Sequence, residues 1–110
     1  MEIYFKDKKI AKIFNSKKEL IKKYGNNIGK KIMQRLDDMK AAKNLEELMT
    51  LPGNHHPLRG DREGQFACSV GQPYRLIYEV ANNPIPTDEK GNLIYKEVTM
   101  IIIIEIIDYH

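Results

Sequence analysis

The 110 residues carry 42% hydrophobic and 30% charged side chains and a net charge of +3, which fits one globular domain over residues 1–110 and is too small for two cores. A single cysteine, Cys68, excludes an internal disulfide, and a free thiol fits a reducing cytoplasm. The opening Met1-Glu2-Ile3-Tyr4-Phe5-Lys6 has no long apolar stretch and the run Ile101 to Ile107 is too short to span a bilayer, so neither a signal peptide nor a membrane span is expected.

Residues 2–5 read as a short strand. From Lys6 to Asn15 the spacing of Ile10, Ile13 and Phe14 predicts a helix. Ser16-Lys17-Lys18-Glu19 has the form of a capping box and starts a second helical segment with Leu20, Ile21 and Tyr24 on its apolar face. Gly25 fits a C-terminal cap, and Asn26 or Asn27 the next N-cap. A third helix runs to about Lys43 with Ile28, Ile32, Met33, Leu36 and Met39 on one side. Asn44-Leu45-Glu46-Glu47 opens a short helix that Pro52-Gly53 ends.

Residues 53–64 form a polar loop marked by Gly and Pro. Phe66, Cys68 and Val70 then alternate with polar residues as in a half-buried strand; Gly71-Gln72-Pro73 turns the chain, and Tyr74 to Val80 returns as the second strand of an antiparallel hairpin. Residues 81–97 look like an exposed, mobile arm. The last strand begins near Val98 and is apolar on both faces, hence central. The order strand, helices, three strands gives an α+β fold: the helices pack on one face of a mostly antiparallel four-stranded sheet, and the other face is free for a site. Cys68, at an alternating position, is expected in the core.

Charge is unevenly placed. Most lysines lie between Lys6 and Lys43, whereas acids outnumber bases in the second half. Such a run is usually a solvated helix face; the functional alternative is a surface for nucleic acid or an acidic partner segment. The arginines near the histidines are more specific. Cleaving RNA beside its own 2′-OH needs a base, an acid for the leaving 5′-oxygen, and positive charge for the phosphorane-like transition state. Histidine suits the proton transfers and arginine the phosphate. The chain offers His56 and His110, with Arg59, Arg62 and Arg75 near them in sequence or across the hairpin; Asp108 can orient an imidazole, and Tyr109 can donate a hydrogen bond or stack on a base.

Each residue has a plainer reading. His55 and His56 fit ordinary loop positions, His110 a frayed terminus, Asp61 a turn, and Arg75 an ion pair with Glu79 on its own strand. A zinc site from His55, His56, Asp108 and His110 lacks standard ligand spacing, so no metal or cofactor is expected. P-loop, dinucleotide-binding, nucleophile-elbow and Cys-x-x-Cys motifs are all missing.

Three motifs in order, His56-Pro57-Leu58-Arg59-Gly60-Asp61-Arg62-Glu63-Gly64, Tyr74-Arg75-Leu76-Ile77-Tyr78 and Asp108-Tyr109-His110, resemble those of HigB-type toxins in the RelE/ParE superfamily of type II toxin–antitoxin systems. Tyr74 stands where that family often has Trp, Arg59 where it often has Lys, and His55 at a position that is often apolar. The 81–97 arm is longer than in compact members.

The resemblance implies a RelE-like fold and a toxin that enters the ribosomal A site and cleaves mRNA there. It also implies rRNA contacts, a cognate helix-turn-helix antitoxin, and contact with DNA only through the antitoxin complex. It carries catalytic roles to His56, Asp108, Tyr109 and His110 and phosphate contacts to Arg59 and Arg75; with His110 catalytic, any C-terminal tag or truncation is expected to impair the protein. The alternatives are a gyrase poison of the ParE type, against which Asp108-Tyr109-His110 argues, and a non-catalytic toxin-like binding module.

Overall fold

The computed structural model describes residues 1–108, so Tyr109 and His110 lie outside the described residues. The helices begin where side chains satisfy the first free N–H groups. Asp7 is extended and its Oδ1 accepts from the Ile10 N–H at 2.8 Å, so α1 spans Lys8–Phe14 rather than starting at Lys6. Ser16 Oγ accepts from the Glu19 N–H at 3.1 Å and starts α2, Lys17–Tyr24. Gly25, at φ +88°, then ends α2 and begins α3, Asn26–Ala41, without any side-chain cap, in place of the expected Asn26 or Asn27. Asn44 Oδ1 accepts from the Glu47 N–H at 2.9 Å and opens α4, Leu45–Leu48.

The sheet has five strands, one more than expected: β1 (Glu2–Phe5), β2 (His56–Pro57), β3 (Gln65–Ser69), β4 (Tyr74–Val80) and β5 (Met100–Asp108), in the order β1-β5-β4-β3-β2. β1 pairs with β5 in parallel and every other pairing is antiparallel. The additional strand is two residues long and includes a proline. It carries no periodicity of its own and exists through its pairing to Phe66 and Ala67 on β3.

Strand β5 is interior, between β1 and β4, and slips register once against β4: Ile77 faces Glu105, but Tyr78 faces Ile103. The extra residue, Ile104, resets the alternation. Ile101 and Ile103 before it, and Ile106 after it, pack with the helices, together with Leu20, Ile32, Met39, Cys68, Leu76 and Tyr78. Ile104, Ala67 and Ile77 form a smaller cluster on the opposite face, with Leu58, Ile102 and Ile107 against it. Cys68 is fully buried, and burial pushes its thiol up to about 12, which makes it a core residue.

The 81–97 arm departs from the mobile loop expected. Thr87 bridges to Leu93, the Ile94 N–H bonds the Pro86 carbonyl at 2.9 Å, and residues Tyr95–Glu97 form a 3-10 turn. Leu93 and Tyr95 pack on the core, and Tyr95 meets Phe66 edge to face. The Asn82 side chain ties the base of the arm to the start of β5 through the Thr99 and Met100 N–H groups. These contacts fall between residues whose spacing carries no strand or helix signal. No helix among the described residues is long and apolar enough to cross a membrane.

Candidate active site on the open sheet face

The helices cover one face of the sheet, and His56, Arg62 and Arg75 lie on the other. Register fixes their rows. His56 pairs with Ala67, Ala67 with Ile77, and Ile77 with Glu105, so one row across four strands carries His56 at one end and Glu105 at the other. The next row toward the β5 end is Ser69, Arg75 and Ile107. Arg75 therefore lies two strands from His56, roughly 10 Å laterally, on the same face.

The two adjacent histidines have opposite surroundings. His55 is buried, with 7% of its surface exposed, and its Nδ1 lies 2.8 Å from the Tyr78 hydroxyl. Burial first, then the charges of Arg35 and His56, lowers its pKa from the ordinary 6.5 to about 4, against a weak opposite pull from the Pro52 carbonyl; the ring is neutral at physiological pH. Burial likewise raises the Tyr78 phenol. His56 is half-exposed, and its Nδ1 sits 2.7 Å from the Asn54 carbonyl oxygen. Of the two, only His56 is open to a substrate.

Arg62 is engaged. Its guanidinium donates to Gln65 Oε1 at 2.8 Å and pairs with Glu105 at 3.2 Å, while the Gln65 amide donates to Glu79 Oε2 at 2.9 Å. This network of Arg62, Glu105, Gln65 and Glu79 was not anticipated from the sequence, because the bulge at Ile104 is what brings Glu105 to the open face. Glu79 is thus held by Gln65 across the hairpin. Arg75 donates to the Tyr74 carbonyl at 3.1 Å.

The structure does not gather all candidates at one point. Leu58 bonds the Gln65 carbonyl, and Gln65 pairs with Glu79, so Arg59 follows at the Glu79 end of β4 while Arg75 stands near its other end. Arg59 is exposed, and its guanidinium has no hydrogen-bond or ion-pair partner among the described residues. It lines a cleft of about 710 Å³ between the 57–65 loop and the arm, with Gln65, Glu79, Ile85, Leu93 and Tyr95. Asp108 pairs with Tyr74 and, one residue beyond Ile107, takes the helix-side register. It is exposed, and it stands three strands from His56. Among the described residues no three His, Cys, Asp or Glu side chains are placed to hold a metal ion.

Arg35 is a structural residue that the sequence reading passed over. It is 6% exposed on α3, donates through Nε to the Ser69 carbonyl at 2.9 Å, and meets Asp38 at 4.0 Å. Gly53, at φ +116°, lies against its guanidinium, where a Cβ would meet Nε at 2.5 Å. The Gly53 carbonyl in turn accepts from the Ser69 N–H at 2.7 Å. This clamp fixes the backbone two residues before His55.

This α+β architecture is that of small bacterial toxins. The chain aligns over its whole length with 99% of a YoeB/ParE toxin from Agrobacterium tumefaciens, at a TM-score of 0.60 and 14% identity. It aligns likewise with 97% of YoeB from Staphylococcus aureus, both in a YoeB–YefM complex (TM-score 0.55, 17% identity) and in a YoeB dimer (TM-score 0.55, 19% identity). These likenesses establish the fold. Residues 3–89 match the family model of the RelE-like toxin of type II toxin–antitoxin system HigB, and the chain belongs to that family. The match includes His56, Arg59, Arg62 and Arg75 and ends before Asp108. No curated protein matches the sequence.

Proposed function

We propose that this chain is the toxin of a type II pair and a ribosome-dependent mRNA endonuclease that cleaves without a metal. The observation that carries the reading is His56: a half-exposed imidazole on the helix-free face, one row from Arg75, in a chain of the HigB-like family. One histidine takes the proton of the 2′-OH, the 2′-oxygen attacks the adjacent phosphorus, and the 5′-oxygen leaves with a proton from the second, giving a 2′,3′-cyclic phosphate and a free 5′-OH. His56 and His110 are the proposed pair. Asp108 orients the imidazole of His110 rather than that of His56, from which three strands separate it. Tyr109 contacts substrate.

Arg75 and Arg59 stand at opposite ends of β4, so they serve different phosphates of one RNA strand laid along the open face, Arg75 the one nearer β5. Arg62 joins them once it exchanges Glu105 for phosphate. The lysines of α1 to α3 meet rRNA by general phosphate attraction. A cognate helix-turn-helix antitoxin is the proposed protein partner, and DNA is reached only through it. A fold neighbour solved as a YoeB–YefM complex supports the idea of such a partner.

Inducible expression tests the reading. Growth arrest with mRNA cut within codons, only while ribosomes translate, is the expected result, and His110→Ala should lower cleavage by roughly a hundredfold or more, as removal of a general acid or base does. Supercoiling defects with intact mRNA would instead mark a gyrase poison, and absence of toxicity a binding module.

A further inference from the structure

We propose that Asn54 is a positioning residue: its backbone carbonyl holds the His56 imidazole with a proton on Nδ1, so that Nε2 is the nitrogen that exchanges a proton with substrate. The consequence for cleavage rests on the function proposed above; the tautomer does not. A carbonyl oxygen can only accept, so the 2.7 Å contact requires hydrogen on Nδ1. In the neutral ring the lone pair then lies on Nε2, ready to act as a base. In the cation Nε2 carries the transferable proton. Nε2 has no partner among the described residues. The carbonyl thus supplies the orienting and tautomer-fixing part of what a carboxylate does for the histidine of a catalytic triad, without its charge.

The aim of that carbonyl is built into the backbone. Asn54 sits at φ 52°, the only non-glycine residue at positive φ among the described residues. Both neighbours are anchored. Gly53 is clamped by Arg35 and by its bond from Ser69, and His55 is buried against the Tyr78 hydroxyl. The turn between these anchors places its carbonyl oxygen 2.7 Å from Nδ1 of His56. The Asn54 side chain is exposed and makes no hydrogen bond among the described residues, so its conformation rather than its amide is what serves.

Two substitutions separate these roles. Asn54→Gly keeps positive φ accessible, whereas Asn54→Val penalises it. Nitrogen-15 NMR of the imidazoles at pH 8, assigned with His56→Asn, should show His56 protonated at Nδ1 in the native chain and in Asn54→Gly, and a mixture of tautomers in Asn54→Val with the protection of β3 to β5 from hydrogen exchange retained. Cleavage of translated mRNA should follow: kcat near native for Asn54→Gly and roughly ten- to a hundredfold lower for Asn54→Val, with KM little changed. A native His56 protonated at Nε2 overturns the proposal. So does an altered tautomer in Asn54→Val with undiminished cleavage. A native chain with the Nδ1 proton in place and no cleavage at all overturns the proposed function while leaving the tautomer standing.

Discussion

His55 and His56 are adjacent and chemically identical, yet only one faces solvent. The resemblance carried the catalytic role to His56, which opens the His56-Pro57-Leu58 motif, and the structure adds the reason for the other: His55 meets the Tyr78 hydroxyl in the core. That burial has a thermodynamic signature. The folded-state pKa of His55 lies near 4, below its unfolded value, so the unfolded chain binds the proton more readily. Its contribution is therefore fully present above about pH 6.5 and is lost as pH falls toward 4, an effect of up to about 3 kcal/mol. Denaturation curves between pH 7 and pH 4 should be steeper in pH for the native chain than for His55→Gln, and equal slopes would show that His55 is not buried neutral. Nothing in residue types alone separates two neighbouring histidines; a fold that turns one inward does.

At the scale of elements, the helices were largely legible because their caps are local. Ser16 and Asn44 each bond the N–H three residues on, as their spacing to Glu19 and Glu47 suggests. Strand β2 and the arm were not legible, since each depends on partners distant in sequence: β2 on Phe66 and Ala67, the arm on Phe66 and the start of β5. The clamp of Arg35 on Gly53 shows how such partners position the site. A side chain at residue 53 would both clash with Arg35 and strain a positive φ. Gly53→Ala should cost about 2 kcal/mol or more in urea denaturation, the range for a strained φ combined with overpacking, while Gly91→Ala, also at positive φ (+84°) but with open space around its Cβ, should cost less. Equal costs would mean that φ alone, and not the clamp, makes glycine necessary.

Over the whole molecule, charge and chemistry are segregated. Most of the exposed lysines ride on the helices, and the open sheet face balances Arg62 with Glu105 and Gln65 with Glu79. The Arg62–Glu105 pair is partly exposed, at 36% and 44%, and such pairs contribute about 1 kcal/mol or less. Glu105→Gln should therefore leave the melting temperature nearly unchanged while making the face more positive and releasing Arg62, so mRNA cleavage in a translation assay should rise severalfold. A fall in cleavage would place Glu105 among the residues the reaction needs. The sequence located Arg62 and Arg75 but not their spacing, because the distance between them is set by strand order.

That strand order also bears on how the protein comes into being. The first strand, at Ile3, pairs with Ile101, and the strand that receives it is flanked on its other side by the hairpin. During synthesis the helices and the β3–β4 hairpin can form as they emerge, but the sheet stays divided until the strand through Asp108 has been made and inserted between its two neighbours. Until that insertion, Arg75 lacks its pairing partner Ile107. In a protein proposed to attack translation, the topology leaves the open face divided until the fifth strand is in place between its neighbours.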